Sequence, residues 1–209
     1  YVWQPAQLAR RAWRLSQGIN SRPRAVIRLP WHFSIAVDPR ESIGRSIVAL
    51  NSLDLPVTES IWRLLDRGEV GADIGANIGY MTSVMAARLR DGGTVLAFEP
   101  VPELADALRA NVQTWNGLTR AQIHVHQVAL SSHGGPATIH LPQSFAANRG
   151  MASLVDPQGD ASQGPPTHTS LDVESVRLDD IVDDATPPGL IKIDVEGFEL
   201  EVLQGAEKL

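Results

Sequence analysis

Between residues 69 and 130 the sequence alternates short apolar segments with segments that have the hydrophobic period of an α-helix. In chain order these are a strand over 69–74, a helix over 78–90, a strand over 94–98, a helix from Pro102 and a strand over 123–130. Parallel strands need a crossover connection, and right-handed crossovers place helices on both faces of a sheet. The alternation therefore predicts an α/β fold with a mostly parallel sheet.

The flanking sequence is less regular than this central part. Before it, the pattern predicts strands over 25–29 and 33–37 and helices over 43–50 and 57–65, the last beginning near Thr58 or Glu59. After it, the pattern predicts an extra strand over 137–141, a long loop over 141–170, a strand over 173–176, a short helix over 178–182, a strand over 190–195 and a helix from Leu200. Two interpretations of the loop stay open, a lid over the active site and an ordinary surface loop.

Charge divides the chain into a basic arm and an acidic body. The net charge is −6, yet residues 1–37 contain six arginines and no acidic residue, which leaves −12 for the rest. The acidic body argues against nucleic acid as the main partner. We expect residues 1–42 to form an arm with a short helix near Leu8 and Leu15, contacting either a lipid surface or, as the favoured interpretation, the core or a partner subunit.

The chain contains no cysteine. This excludes disulfide scaffolds, thiolate metal sites and cysteine nucleophiles, and it agrees with a cytoplasmic location. His124 and His126 have a spacing that suits a metal, but no third ligand accompanies them, so a pair on a strand face is the favoured interpretation and no metal is predicted.

The first predicted strand ends in the turn Asp73-Ile-Gly-Ala-Asn-Ile-Gly79. Gly75 and Gly79 allow the backbone to approach a ligand, Ala76 keeps the space clear, and Asn77 accepts a left-handed conformation. In an open α/β sheet, ligands bind beyond the carboxyl ends of the strands. The turn is therefore a candidate ligand site, although the glycines could also serve the turn alone.

Glu99 ends the next strand, 20 residues after Gly79. An acidic residue at about this distance accepts hydrogen bonds from ribose hydroxyls, which indicates a nucleoside site. Asp73 stands where a dinucleotide motif has its first glycine, and its carboxylate suits a cation such as a sulfonium better than a pyrophosphate. This favours S-adenosylmethionine over NAD, while a purely structural Asp73 that caps the helix remains an alternative.

Two blocks of sequence resemble the FkbM family of S-adenosylmethionine-dependent methyltransferases. They are Asp73-Ile-Gly-Ala-Asn-Ile-Gly-Tyr80 with Phe98-Glu-Pro100, and Ile191-Lys-Ile-Asp-Val-Glu-Gly-Phe-Glu199 followed by Val202-Leu-Gln-Gly-Ala206. Lesser landmarks are Ile43-Gly-Arg45, Asn111 and Leu178-Asp-Asp180, so the resemblance spans residues 43–209. It implies a Rossmann-like (class I) methyltransferase domain over this range, acting on a hydroxyl of a sugar, glycolipid or natural product. Such a sheet has about seven strands, so we expect a C-terminally incomplete domain.

The resemblance also implies roles for individual residues. Asp73, Gly75, Asn77 and Gly79 would surround the methionine part of S-adenosylmethionine, Glu99 would bind its ribose, and Val128-Ala129-Leu130 would lie along its adenine. The alternatives that stay open are an NAD-linked enzyme and a cofactor-binding scaffold protein without catalysis.

Asp194 and Glu196 are the candidate catalytic residues. Strand residues two apart project to the same side, so both carboxylates should reach the ligand end of the sheet, where one could accept a proton as general base. They could instead bind the cofactor, cap the helix near Phe198, hold the turn at Gly197 or, less favoured, bind a metal. Lys192 should face the other side, in packing or a salt bridge.

Overall fold

The computed structural model describes residues 24–142, 168–182 and 185–209. The predicted helix near Leu8 and the centre of the predicted loop, residues 143–167, lie outside the described residues. The described chain opens with two antiparallel strands, β1 (Ala25–Arg28) and β2 (Ser34–Val37), which confirms the predicted pair around Pro30. Within the described ranges, no helix has the length and apolarity needed to cross a bilayer.

Two helices, α1 (Ser42–Leu50) and α2 (Leu55–Leu64), follow this hairpin. The predicted start of α2 near Thr58 or Glu59 is wrong. Asp54 caps the helix, because its side chain accepts a hydrogen bond from the Val57 amide at 3.2 Å, and Pro56 suits the first turn because it needs no amide partner there.

The alternating part of the sequence folds as predicted. Its elements are β3 (Val70–Ile74), α3 (Tyr80–Arg88), β4 (Thr94–Phe98), α4 (Pro102–Gln113) and β5 (Gln122–His126). The strand predicted over 123–130, however, is two strands in two sheets. The last contact with the central sheet is at His126, whose carbonyl accepts from the Glu99 amide at 3.0 Å. The second half of the predicted strand, β6 (Ala129–Leu130), pairs with another strand in a second sheet.

A second, smaller sheet contains β6, β7 (Gly135–Pro142) and β8 (His168–Val176), in the order β6-β8-β7. Strands β7 and β8 pair antiparallel over their whole length. They therefore occupy residues 141–142 and 168–170 of the segment that was predicted as a loop. A 3₁₀ turn (Leu178–Asp180) leads on to β9 (Leu190–Ile193) and α5 (Glu199–Gln204).

Strand β9 completes a four-stranded sheet of order β5-β4-β3-β9, in which every pair is parallel. This confirms the α/β class and the mostly parallel sheet. Apolar side chains pack on both faces. Val84 and Met85 of α3 belong to the same buried cluster as Val95, while Val202 of α5 packs in a separate cluster with Ile74 and Phe98.

The β1–β2 hairpin packs against α4 and the loop after it. Phe33 stacks on Trp115 with ring centroids 5.4 Å apart, and the Trp115 indole donates to the Ser34 carbonyl at 2.7 Å. Asn111 connects three segments, because its side chain accepts from the Ala36 amide at 2.8 Å and donates to the Ile78 carbonyl at 2.9 Å. The family landmark Asn111 thus ties the hairpin to the turn before α3.

Candidate active site

A cavity of about 460 Å³ opens at the carboxyl ends of β3, β4 and β9. Its size lies within the range of small-molecule sites, and its position is the one where open α/β sheets bind ligands. Most of the predicted cofactor residues line it, namely Gly75, Ala76, Asn77, Glu99 and Ala129. Two predicted cofactor residues, Asp73 and Gly79, do not line it.

The glycine turn is anchored to β4 and touches the end of β9. The amides of Gly75 and Ala76 both donate to the Phe98 carbonyl, at 3.0 and 2.9 Å. A Cβ on Gly75 would clash with the Asp194 carbonyl oxygen, and φ at Gly75 is +74°. Glycine is therefore required here by the fold.

Asn77 and Gly79, which complete this turn, each meet a different structural requirement. Asn77 has φ of +51°, the left-handed conformation expected for it. Gly79 is needed because a Cβ would clash with the Leu108 side chain of α4. Gly79 packs against α4 and does not line the cavity, and its contact with a ligand stays a prediction.

Asp73 is fully buried beneath the turn. One of its carboxylate oxygens accepts from the Thr82 hydroxyl at 2.6 Å, and the other lies 3.1 Å from the Lys192 ammonium. The two residues are register partners on β3 and β9. The salt bridge predicted for Lys192 is confirmed, and the carboxylate of Asp73 faces this lysine.

Lys192 also holds the turn itself. Its ammonium donates to the Gly75 carbonyl at 2.9 Å and to the Ile74 carbonyl at 3.3 Å. It lies 3.8 Å from an Asp194 carboxylate oxygen, and both residues line the cavity. The prediction that Lys192 faces away from Asp194 is wrong, because residues two apart on an extended chain project to the same side, as the short distance between these two side chains shows.

Glu99 lies at the cavity with only 5% of its surface exposed. One carboxylate oxygen accepts from the Asn77 amide at 2.8 Å and the other from the Val101 amide at 3.0 Å. Burial raises the pKa of Glu99 to about 7, outweighing the lowering by these two amides and by Lys192. Each carboxylate oxygen retains a lone pair that can accept from a ligand hydroxyl.

The structure separates the two candidate catalytic carboxylates. Asp194 lines the cavity, and 71% of its side chain is exposed. Glu196 is exposed, has φ of +47° in the turn after β9 and does not line the cavity. The predicted common side fails because both residues follow the end of β9 at Ile193, so the alternation of a strand does not apply to them.

The segment predicted to lie along adenine also reaches the cavity, where Val128, Ala129 and Leu130 form part of the lining. The neighbouring His126 stacks on Phe98 with ring centroids 4.9 Å apart, and burial lowers the pKa of this histidine, with a smaller contribution from His124. Within residues 24–142, 168–182 and 185–209, no group of three or more metal-ligating side chains comes together.

Sequence reasoning missed one wall of the cavity. It comprises Ile43 of α1, Leu53 and Asp54 before α2, Val57 of α2, and Met81 of α3. The apolar members have the pattern of core residues, so their sequence carries no functional signal. One sequence signal was available: Asp54 and Pro56 have the pattern of a helix start, and this start fixes the turn that carries Leu53.

The lining is acidic. Among the described residues that line the cavity, Asp54, Glu99 and Asp194 are acidic and Lys192 is basic. The charge of Lys192 is already shared with the buried Asp73. With its carboxylates ionised, the cavity therefore favours a cationic ligand over an anionic one.

Comparison with known proteins agrees with this geometry. Residues 73–209 match the sequence profile of the methyltransferase FkbM domain. The chain is 34% identical over 163 residues to the 31-O-demethyl-FK506 methyltransferase FkbM of Streptomyces tacrolimicus, covering 67% of this chain and 60% of that protein. It is 28% identical over 165 residues to the hexuronic acid methyltransferase AglP of Haloferax volcanii, covering 70% of this chain and 60% of that protein.

A third relative, the methyltransferase sdnD of Sordaria araneosa, is 32% identical over 161 residues, covering 65% of this chain and 60% of that protein. The chain thus spans about 60% of the length of each of these three relatives. The profile match extends over the glycine turn, Glu99 and the β9 region, which form part of the cavity lining. On this match, the chain belongs to the FkbM methyltransferase family.

Proposed function

We propose that this protein is an O-methyltransferase that uses S-adenosylmethionine to methylate a hydroxyl group of a small-molecule, sugar, glycolipid or natural-product acceptor. The observation that carries the proposal is the pairing of a buried carboxylate, Glu99, with the glycine turn at the edge of one acidic cavity. Two relatives are named for acceptors of different chemistry, a hexuronic acid and 31-O-demethyl-FK506.

The residues of the cavity fit S-adenosylmethionine by their chemistry and order. Glu99 on β4 would accept from the ribose hydroxyls, and the lining residues Val128, Ala129 and Leu130 offer an apolar surface for adenine. The turn from Gly75 to Asn77 would bind the methionine part. Asp73 and Gly79 would contribute through the fold, by holding Lys192 and by packing α3 against α4.

The acidic lining favours this cofactor over NAD. The sulfonium and ammonium groups of S-adenosylmethionine are cationic, whereas the pyrophosphate of NAD would have to lie in a cavity lined by Asp54, Glu99 and Asp194. The repulsion would come from the exposed carboxylates of Asp54 and Asp194, and from Glu99 above its pKa of about 7. We therefore place the NAD-linked alternative second.

We further propose that Asp194 is the general base. The bound cofactor would supply an electrophilic methyl group, and the acceptor hydroxyl must lose its proton as its oxygen forms the new bond. Asp194 is exposed to the cavity beside Lys192 and follows the strand next to the glycine turn, so its carboxylate is available to accept that proton. Glu196 was the other candidate, and we assign it no contact with the reactants, because it lies outside the lining.

Calorimetric titration with S-adenosylhomocysteine, S-adenosylmethionine and NAD tests the cofactor assignment. We expect both adenosyl-sulfur compounds to bind and NAD to bind much more weakly. Binding of NAD alone would overturn the proposal. Binding of the adenosyl compounds without methyl transfer to any of a panel of hydroxylated acceptors would favour the non-catalytic scaffold.

Two proposals concern the surroundings of the enzyme. The absence of cysteine favours a cytoplasmic location, where thiols stay reduced and disulfides do not form. For the basic arm we propose a contact with a partner subunit or with an anionic lipid surface, the latter because arginines and tryptophans together suit a membrane interface.

A further inference from the structure

The cavity continues beyond the residues that the proposed cofactor would contact, to a wall of apolar side chains. We call Ile43, Leu53, Val57 and Met81 the apolar wall. We propose that the apolar wall binds the methyl acceptor and that this acceptor is an uncharged molecule with an apolar body, rather than an acidic sugar. This proposal rests on the proposed function.

The apolar wall is a poor partner for the cofactor itself. The methionine part of S-adenosylmethionine carries an ammonium and a carboxylate, and both lose hydration unless polar groups replace the water. The wall offers four apolar side chains, and Asp54 beside them would repel the carboxylate. An apolar acceptor, in contrast, gains free energy with each apolar group that the wall removes from water.

Hydrogen bonds hold the turn that carries Leu53 of the wall. Asn51 and Asp54 have φ of +58° and +40°, so Leu53 lies between two left-handed residues that are not glycine. Such strain persists only where surrounding contacts hold it. Here the Thr58 hydroxyl donates to the Leu53 carbonyl at 2.8 Å, and the Thr58 amide donates to the Asp54 carbonyl at 2.9 Å.

Thr58 also connects the wall to α3, because its hydroxyl lies 3.9 Å from the Met81 sulfur. Met81 follows the glycine turn by two residues, so the wall stands directly beside the proposed site of the methionine part. An acceptor on the wall would therefore lie next to the cofactor and within the same cavity as Asp194.

Charge at this end of the cavity selects against acidic acceptors. Asp54, adjacent in sequence to Leu53, and Asp194 are acidic residues of the same cavity lining, and Lys192 is already paired with Asp73. An acceptor carboxylate would lie in a field of like charge without a free cationic partner among the described lining residues. A neutral hydroxylated molecule avoids this repulsion.

Two matched probes test the charge and the apolar contact. Octyl β-D-glucoside and octyl β-D-glucuronide differ only at C6, where the glucuronide has a carboxylate in place of a hydroxymethyl group. Each is titrated below its micelle concentration into protein saturated with S-adenosylhomocysteine. We expect the glucoside to bind and the glucuronide to bind roughly fivefold more weakly, the scale of one like-charge contact near a surface. Equal or tighter binding of the glucuronide, or no binding of the glucoside, would overturn the proposal.

Variants of the wall sharpen the result. Asp54→Asn removes the charge but keeps a residue that caps helices and accepts left-handed φ, so we expect the fold to persist and the preference for the glucoside to narrow. Leu53→Ala with Val57→Ala should weaken glucoside binding roughly tenfold. Leu64→Ala is the control on the same helix, because Leu64 is 68% exposed and lies outside the cavity lining.

Failure of the wall and failure of the proposed function give different results. Binding of S-adenosylhomocysteine is measured first. If it does not bind, both probes are titrated into the protein alone, and a persisting preference for the glucoside would contradict the proposed function but not the role of the apolar wall. If S-adenosylhomocysteine binds but the Asp54→Asn and wall variants leave the ratio of the two probes unchanged, the acceptor proposal is wrong and the cofactor site stands.

Discussion

The two sides of the cavity differ in how their carboxylates are held. On the cofactor side, Asp73 and Glu99 are 0% and 5% exposed, and each has protein partners for both of its oxygens. On the acceptor side, 71% of the Asp194 side chain is exposed and Glu196 lies in a turn with positive φ. The cofactor side is thus organised by the sheet, whereas the acceptor side depends on turns that follow the sheet.

The sharpest test of the exposed side is the rate of methyl transfer. We expect Asp194→Asn to lower kcat by about 10²–10⁴-fold, the usual contribution of a positioned general base, while the affinity for S-adenosylhomocysteine stays unchanged. Glu196→Gln is the matched control, because it neutralises a carboxylate two residues away but outside the cavity lining, and we expect less than about a twofold change. Full activity in Asp194→Asn would remove the base role.

The buried side should respond in stability. Lys192→Met leaves Asp73 as a fully buried carboxylate without its cation, and removing one partner of a buried pair typically costs about 3–5 kcal/mol. Chemical denaturation measures the free energy of unfolding. Asp194→Asn serves as the control, since this carboxylate is also near Lys192 but largely exposed, and we expect a change below about 1 kcal/mol. Equal losses in both variants would erase the contrast between the two sides.

The contact between the two sides can be broken at Gly75. Gly75→Ala adds a Cβ that clashes with the Asp194 carbonyl oxygen, at a residue whose φ is +74°. We expect a loss of about 2–5 kcal/mol in the free energy of unfolding, from left-handed strain together with overpacking.

Gly68→Ala separates these two contributions. Gly68 has a similar φ of +83°, but no atom lies within 4 Å of the position of an added Cβ. It should lose only the strain component, about 1–2 kcal/mol. If both variants lose the same amount, the approach of the turn to Asp194 contributes nothing to stability.

The difference between the cofactor side and the acceptor side also explains which parts of the structure the sequence could predict. The strands and helices from residue 70 to 113 follow hydrophobic periods, so strands β3 and β4 of the central sheet, the glycine turn and Glu99 were predicted at their places. Asp73 was singled out as a cofactor contact, which stays a prediction, and its pairing with Lys192 was not predicted, because register alone brings the two residues together. Pairing across strands that are distant in sequence carries no local signal.

The acceptor side was predicted less well for a related reason. The alternation expected for Asp194 and Glu196 requires a strand, and β9 ends at Ile193, before both residues. The apolar wall has the composition of ordinary core, so Leu53 and Val57 carry no pattern that distinguishes a ligand surface from packing. The division of residues 123–130 between two sheets likewise depends on pairing with β8, which is distant in sequence.

The pH dependence of stability examines the buried side more finely, through Glu99. Its folded pKa of about 7 exceeds its usual value of 4.5, because burial disfavours the ionised form. The folded state therefore holds this proton more tightly, and the resulting stabilisation is full below pH 4.5 and is lost as the pH rises through 7. Between pH 5 and 8 we expect the wild type to lose roughly 2–3 kcal/mol more than Glu99→Gln. Histidines titrate in both proteins, so the difference between their pH slopes isolates Glu99, and parallel slopes would contradict the raised pKa.

Because ribose hydroxyls would donate to the ionised carboxylate, the affinity for S-adenosylhomocysteine should rise over the same pH range in the wild type and stay flat in Glu99→Gln.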